Sequence, residues 1–104
     1  SLGYSVDTCS GGPEALQRIE KNKTPYDLII SDMAMPNMTG DQLVLKIRET
    51  QPDMPIILCT GYSKKIDKDI ASGMGVNALI YKPVDLTTLA RTVRELLDEN
   101  HDSR

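Results

Sequence analysis

The sequence predicts an α/β fold: a parallel sheet with helices on both faces. Three observations carry that expectation. Short apolar stretches of strand length alternate along the chain with helical patterns. The stretches at Asp27–Ser31 and Pro55–Cys59 are continuous apolar runs rather than alternating ones, as in strands covered on both faces. Glycine and proline fall between the two kinds of segment. Strands and helices that alternate at this spacing form βαβ units, which give parallel pairing and right-handed crossovers. The 104 residues suffice for one domain with one sizeable core, and residues 1–104 are read as a single unit.

Taken in order, Tyr4–Cys9 alternates apolar and polar residues like a half-buried strand. Pro13 suits a first helical turn, where its missing N–H costs nothing, and Leu16 and Ile19 recur three apart. Asp27–Ser31 reads as a buried strand ending at Asp32. A loop marked by Pro36, Asn37 and Gly40 follows, and then Leu43, Val44 and Ile47 recur at helical spacing until Pro52 forbids continuation. Pro55–Cys59 reads as another buried strand, followed by Thr60-Gly61 and a helix with Ile66, Ile70 and Met74 four apart. Gly73 and Gly75 mark its end, Asn77–Tyr81 reads as a strand, and Lys82-Pro83 closes it. A last helix begins near Asp85, a suitable N-cap, with Leu86, Leu89, Val93, Leu96 and Leu97 on one stripe.

Composition narrows the function classes. With 39% hydrophobic and 26% charged residues the chain reads as an ordinary soluble globular domain. A net charge of −3 with scattered Lys and Arg lacks the basic stripe that phosphate backbones attract, so no direct nucleic-acid partner is expected. No stretch approaches the roughly 20 apolar residues of a membrane span, so no membrane partner and a cytoplasmic location are expected. Cys9 and Cys59 have no CxxC spacing and no nearby His, which disfavours zinc and redox roles and leaves buried structural thiols.

In open parallel sheets the reaction site lies at the carboxyl ends of the strands. The residues found there are Asp32, Thr60 and Lys82: a carboxylate, a hydroxyl and an ammonium from three separate elements. A carboxylate with a pKa of about 4 is ionised at neutral pH and is nucleophilic without a general base. Its natural electrophile is a phosphoryl group, whose charge Lys82 and Thr60 can meet with a cation and a hydrogen-bond donor. Singly, each residue has a plain reading as a turn cap, a loop threonine or a solvated lysine. Their joint placement is what favours chemistry.

The stretch Asp27 to Gly40, with its D-x-x-M-P-x-x-x-G loop from Asp32, resembles the response-regulator receiver domains of two-component signalling. Pro52–Gly61 and Gly75–Pro83 are similar to two further signatures of that family in order and spacing, and the likeness runs from about Gly3 to Asp98. The resemblance implies a flavodoxin-like, CheY-like doubly wound parallel sheet. It implies that Asp32 accepts a phosphoryl group from a histidine kinase or phosphotransfer domain, so that the module is a phosphoacceptor in a phosphorelay and not itself an enzyme. It further implies Mg2+ held by Asp32 and the backbone carbonyl of Ala34, Thr60 on a phosphoryl oxygen, Lys82 paired with the phosphate, and a cis Lys82-Pro83 bond. The wording of Ile57–Ser63 is similar to receivers of hybrid sensor kinases.

Two departures from the family pattern stand out. Family members begin with a strand ending in a magnesium-binding acidic pair and a helix, and neither is legible here; the chain is expected to be N-terminally truncated by roughly 18 to 25 residues of usual element length. In the family order 2-1-3-4-5 the missing strand is central. Unpaired edges on buried strands are costly, so a homo-oligomer joined through those edges is expected. Asp53, Asp67 and Asp69 offer no substitute for the acidic pair, so magnesium affinity is expected to be weak or absent. The second departure is Leu79, three before the lysine, where many receivers carry an aromatic switch residue; Leu79 reads as core, and Tyr81 is not given the switch role. His101 in the tail reads as non-functional, and Lys64-Lys65 and the Arg91, Arg94 pair as solvated helix faces. Two rival readings are a non-phosphorylated pseudo-receiver interaction module and a flavodoxin-like cofactor binder. The second lacks a Gly-rich phosphate cradle and any Trp or Phe to stack on a flavin.

Overall fold

A computed structural model describes residues 11–21, 26–34, 38–61 and 73–102, with side chains through residue 98. The elements are α1 (Gly12–Lys21), β1 (Ile29–Asp32), α2 (Gly40–Thr50), β2 (Ile56–Thr60), β3 (Ala78–Tyr81) and α3 (Leu86–Asp102). The expected strand at Tyr4–Cys9 and the helix carrying Ile66 and Ile70 lie outside the described residues. Gly73 and Met74 are helical, and Gly75 follows at φ 93°, the left-handed conformation that glycine adopts without steric cost.

The three strands form a parallel sheet in the order β1-β2-β3, with Asp32 opposite Cys59 and Thr60 opposite Tyr81. Alternation along β2 sends Ile56 and Leu58 to one face and Ile57 and Cys59 to the other, and all five of its residues are buried. On the first face Leu43, Val44 and Ile47 of α2 join Ile56 and Leu58, with Ala15, Leu16 and Ile19 of α1 packed alongside. On the second face Leu89, Val93 and Leu96 of α3 cover Ile57, Cys59 and Ile80. The layering is the expected one, with helices on both sides of the parallel sheet. Among the described residues no helix is long and apolar enough to cross a membrane.

Helix starts follow local chemistry. Glu14 lies in the first turn of α1 and Arg18 and Lys21 in its last, the arrangement that suits the helix dipole. Ahead of α2, the Thr39 N–H donates to Gln42 Oε1 at 3.0 Å. Asp85 caps α3 as expected, accepting from the Thr87 N–H and the Thr88 hydroxyl. Those two bonds hold its carboxyl below the ordinary carboxylate range.

Three expectations need correction. Asp27–Ser31 was to be buried on both faces, yet Ile30 is 47% exposed. It lies on the second face beside Ile57, beyond the part that the α3 side chains cover. Leu86 was placed in the buried stripe, yet it is 77% exposed. Seven residues separate it from Val93, so it lies toward the same side of the helix, but it sits about 4.5 Å beyond Leu89, the first residue of the helix that packs on the cluster. His101 was read as part of the tail, whereas the last helix continues through Asp102, so His101 belongs to its final turn.

A clasp that local sequence patterns do not reveal ties the other end of the sheet together. Arg48 near the end of α2 donates to the Gly75 carbonyl through Nε and Nη2 at 3.1 and 2.5 Å. It also reaches Gln51 O and Asn77 Oδ1, both at 3.0 Å. Asn77 Oδ1 in turn accepts from the Ile56 N–H at 2.9 Å, so α2, the entry to β3 and the start of β2 share one network.

Candidate functional site

β1 delivers Asp32 to the carboxyl edge of the sheet, and the Met33 N–H donates to Cys59 O at 2.8 Å, fixing the turn away from the strand. β3 delivers Lys82 in the same way, through a Lys82 N–H bond to Thr60 O at 2.7 Å. Lys82 Nζ forms an ion pair with Asp32 Oδ2, while the Ala34 N–H donates to Asp32 Oδ1 at 3.1 Å. Each carboxylate oxygen therefore has its own donor. Both side chains remain 40% exposed, so the pair is open to a reactant.

Partial burial pushes the Asp32 carboxyl up, but the Lys82 hydrogen bond, the Ala34 N–H and the Lys82 charge outweigh it. The net effect holds the group below the ordinary carboxylate range. It is an anion at neutral pH. Behind it, burial and then the Asp32 charge push the Cys59 thiol up, with Lys82 acting against them. Cys59 is 7% exposed and free, in keeping with the inert thiol expected of it, whereas Cys9 lies outside the described residues.

Gly40 is the reason the loop after Asp32 can close. Its N–H donates to Met33 O at 2.8 Å. A Cβ there would lie 2.6 Å from Asp32 O, 2.7 Å from Leu58 Cδ1 and 2.8 Å from Met33 Cα. The start of α2 thus abuts the end of β1 more closely than any side chain permits.

The expected trio is brought together only in part. Asp32 and Lys82 meet, but the Thr60 hydroxyl donates to its neighbour's carbonyl, Gly61 O, at 3.0 Å, and the residue is 2% exposed. Thr60 instead contributes its backbone carbonyl, which anchors Lys82. Lys82-Pro83 is cis, as the resemblance implied. Met35, Pro36 and Asn37 of the loop motif, and Lys64-Lys65, lie outside the described residues.

For a hard cation such as Mg2+ the described donors are the Asp32 carboxylate and the backbone carbonyl of exposed Ala34. That set is oxygen-only, as such a cation requires, and supplies part of an octahedron. Among the described residues no group of three His, Cys, Asp or Glu could hold a metal ion.

Comparison with known proteins agrees with this fold. A family model described as "Response regulator receiver domain" matches residues 1–94. The chain is 37% identical over 100 residues to the transcriptional regulatory protein GlrR of Escherichia coli (strain K12), covering 96% of this chain and 22% of that protein. It is 33% identical over 99 residues to the sensor kinase CckA of Brucella abortus (strain 2308), covering 95% and 10% respectively. The chain thus spans about a fifth or less of the length of these curated relatives. A crystal structure of a response regulator receiver domain protein from Clostridium thermocellum superposes with a TM-score of 0.90 at 25% identity, covering 99% of this chain and 82% of that one.

Proposed function

This chain belongs to the response regulator receiver domain family, a family of phosphoacceptor modules, and on that premise we propose that Asp32 is the residue that takes the phosphoryl group. The reading rests on one observation. At the carboxyl edge of a parallel sheet, an exposed carboxylate has one oxygen fixed by the Ala34 N–H and the other paired with Lys82.

The chemistry follows from that arrangement. The anionic carboxylate needs no base to attack phosphorus, because it is already deprotonated and held so. An Asp32 Oδ–P bond forms as the N–P bond of a phosphohistidine breaks, and the electron pair of that bond returns to the imidazole nitrogen of the donor. The donor is a histidine kinase or a phosphotransfer domain, the partners with which receiver domains pair. Lys82, already at Asp32 Oδ2, remains beside the incoming phosphoryl oxygens and balances their charge. Thr60 serves as a further donor once its hydroxyl rotates from Gly61 O about a single bond. Asp32 and the Ala34 carbonyl would hold Mg2+, which supplies charge neutralisation at the phosphoryl oxygens when bound. The protein to which this domain belongs is, on this reading, either a regulator or a hybrid kinase, since relatives of both kinds cover it.

The test is intact-mass analysis after incubation with acetyl phosphate and Mg2+. It is run on this chain, on Asp32→Asn, and on a form extended by its natural N-terminal sequence. A base-labile phosphoryl group on the extended form, absent in the Asp32→Asn variant, is the expected result. No modification at Asp32 in either form would overturn the assignment and favour an interaction module that is not phosphorylated.

A further inference from the structure

The apolar side chains of β3 do little to fix where it lies along β2. Val76 and Leu79 pack with the core on the first face of the sheet, and Ala78 and Ile80 with that on the second. With apolar residues on both faces, a displacement by two residues would bury the same kinds of side chain, so burial alone does not choose the register. The register nevertheless decides what reaches the site. A strand advances about 3.3 Å per residue, so a two-residue displacement would carry Lys82 about 7 Å along the edge. That takes it away from Asp32 and from the Thr60 carbonyl that holds its N–H.

Polar groups at the start of β3 supply the missing choice. Asn77 holds Ile56 at two points: its N–H donates to Ile56 O, and its side-chain Oδ1 accepts the Ile56 N–H, both at 2.9 Å. Ile56 is fully buried, so leaving its N–H without an acceptor is costly. Arg48 Nη2 donates to the same Oδ1 at 3.0 Å, and Nε and Nη2 engage the Gly75 carbonyl. Both partners of the Asn77 oxygen are donors, which fixes the way the amide faces. From Gly73 to Ile80, Asn77 is the one residue with a side-chain oxygen. Displacement by one residue would set Val76 or Ala78 against Ile56, and displacement by two would set Gly75 or Leu79 there. None of these has a side chain that can make the second bond.

We propose that Asn77, held by Arg48, is a positioning residue: its two-point contact with Ile56 sets the register of β3 on β2 and so delivers Lys82 to Asp32 at the far end of the strand. The functional meaning rests on the reading of Asp32 as phosphoacceptor, whereas the register can be observed without any phosphodonor.

The experiment is amide hydrogen exchange, followed by NMR, on this chain and on its Asn77→Ala, Asn77→Asp and Asn77→Gln variants. Three amides report: that of residue 77, bonded to Ile56 O; that of Lys82, bonded to Thr60 O; and that of Leu43 in α2, bonded to Thr39 O. Asn77→Ala is expected to speed exchange at residue 77 and at Lys82 together, by about tenfold or more, and to leave Leu43 unchanged. A frayed strand end would speed residue 77 alone, and general loss of stability would speed all three. Either of those patterns, or no change at Lys82, would overturn the proposal. Asn77→Asp keeps an acceptor oxygen at the same reach and is expected to restore the parent rates; failure to restore them would also overturn it. Asn77→Gln sets its oxygen one bond further out, is expected to behave like Asn77→Ala, and serves if that variant does not fold. On an extended form that accepts phosphate from acetyl phosphate, Asn77→Ala should slow the reaction by about twofold or more as Lys82 leaves its place, and Asn77→Asp should not. An unchanged rate in Asn77→Ala would break the link to Lys82. Absence of phosphorylation in the unsubstituted extended form would instead count against the assignment of Asp32, with the exchange pattern still deciding the register.

Discussion

Substituting Gly40 by alanine tests the close approach of α2 to the end of β1. The added Cβ would sit 2.6 Å from Asp32 O, roughly 0.8 Å inside the 3.4 Å floor of ordinary contact, with Leu58 Cδ1 and Met33 Cα nearly as close. Two of these atoms are backbone, and Leu58 is fully buried, so no side chain can turn away to make room. Retreat of α2 by that distance stretches the Gly40 N–H bond to Met33 O from 2.8 Å to beyond the roughly 3.5 Å at which such a bond fails. Overpacking costs about 1–3 kcal/mol and the lost bond about 1 kcal/mol. Replacing glycine by alanine returns about 0.5–1 kcal/mol through the unfolded chain. The net loss is about 2 kcal/mol, or roughly 8–16 °C in Tm for a domain of this size. Gly61→Ala is the control, since nothing lies within 4 Å of a Cβ there, and it should melt at or slightly above the parent temperature. Circular dichroism melts of the three proteins give the comparison. If Gly40→Ala and Gly61→Ala melt together, the argument from close approach is wrong.

Three further perturbations follow from the same contacts. The Asp32 carboxyl is held below its unfolded value of 3.8, so its stabilising contribution is present above that pH and is lost as pH falls through the folded value. Lys82→Met should therefore cost about 0.5–1 kcal/mol at neutral pH, discounted for the exposure of the pair, and this difference should shrink in acid urea melts below about pH 3.8. Arg48→Ala should cost about 2–3 kcal/mol by leaving the Gly75 carbonyl without its two guanidinium donors. Arg48→Lys should recover less than half of that, because one ammonium cannot reproduce the guanidinium fork. Leu86→Ala should change stability by no more than about 0.5 kcal/mol, whereas Leu58→Ala, at a fully buried position, should cost about 3 kcal/mol; equal losses would contradict the placement of α3.

The sequence alone determined the βαβ alternation, the buried β2 run, the Asp85 cap and the edge at which Asp32 and Lys82 emerge. These follow from periodicity and from residues acting on neighbours three or four positions away, which a linear chain displays directly. The resemblance in the D-x-x-M-P-x-x-x-G stretch added the phosphoacceptor reading. Only the tertiary structure decided which way the Thr60 hydroxyl turns, since a hydroxyl at a strand end finds an acceptor in Gly61 O as readily as in a distant carboxylate. Leu86 and Ile30 were misjudged because periodicity reports the face of an element and not whether a neighbour extends over it. The Arg48 clasp joins residues 27 and 29 positions apart. No local pattern encodes such pairs, because each is created by the folding of helices onto a common sheet and exists only once that packing is complete.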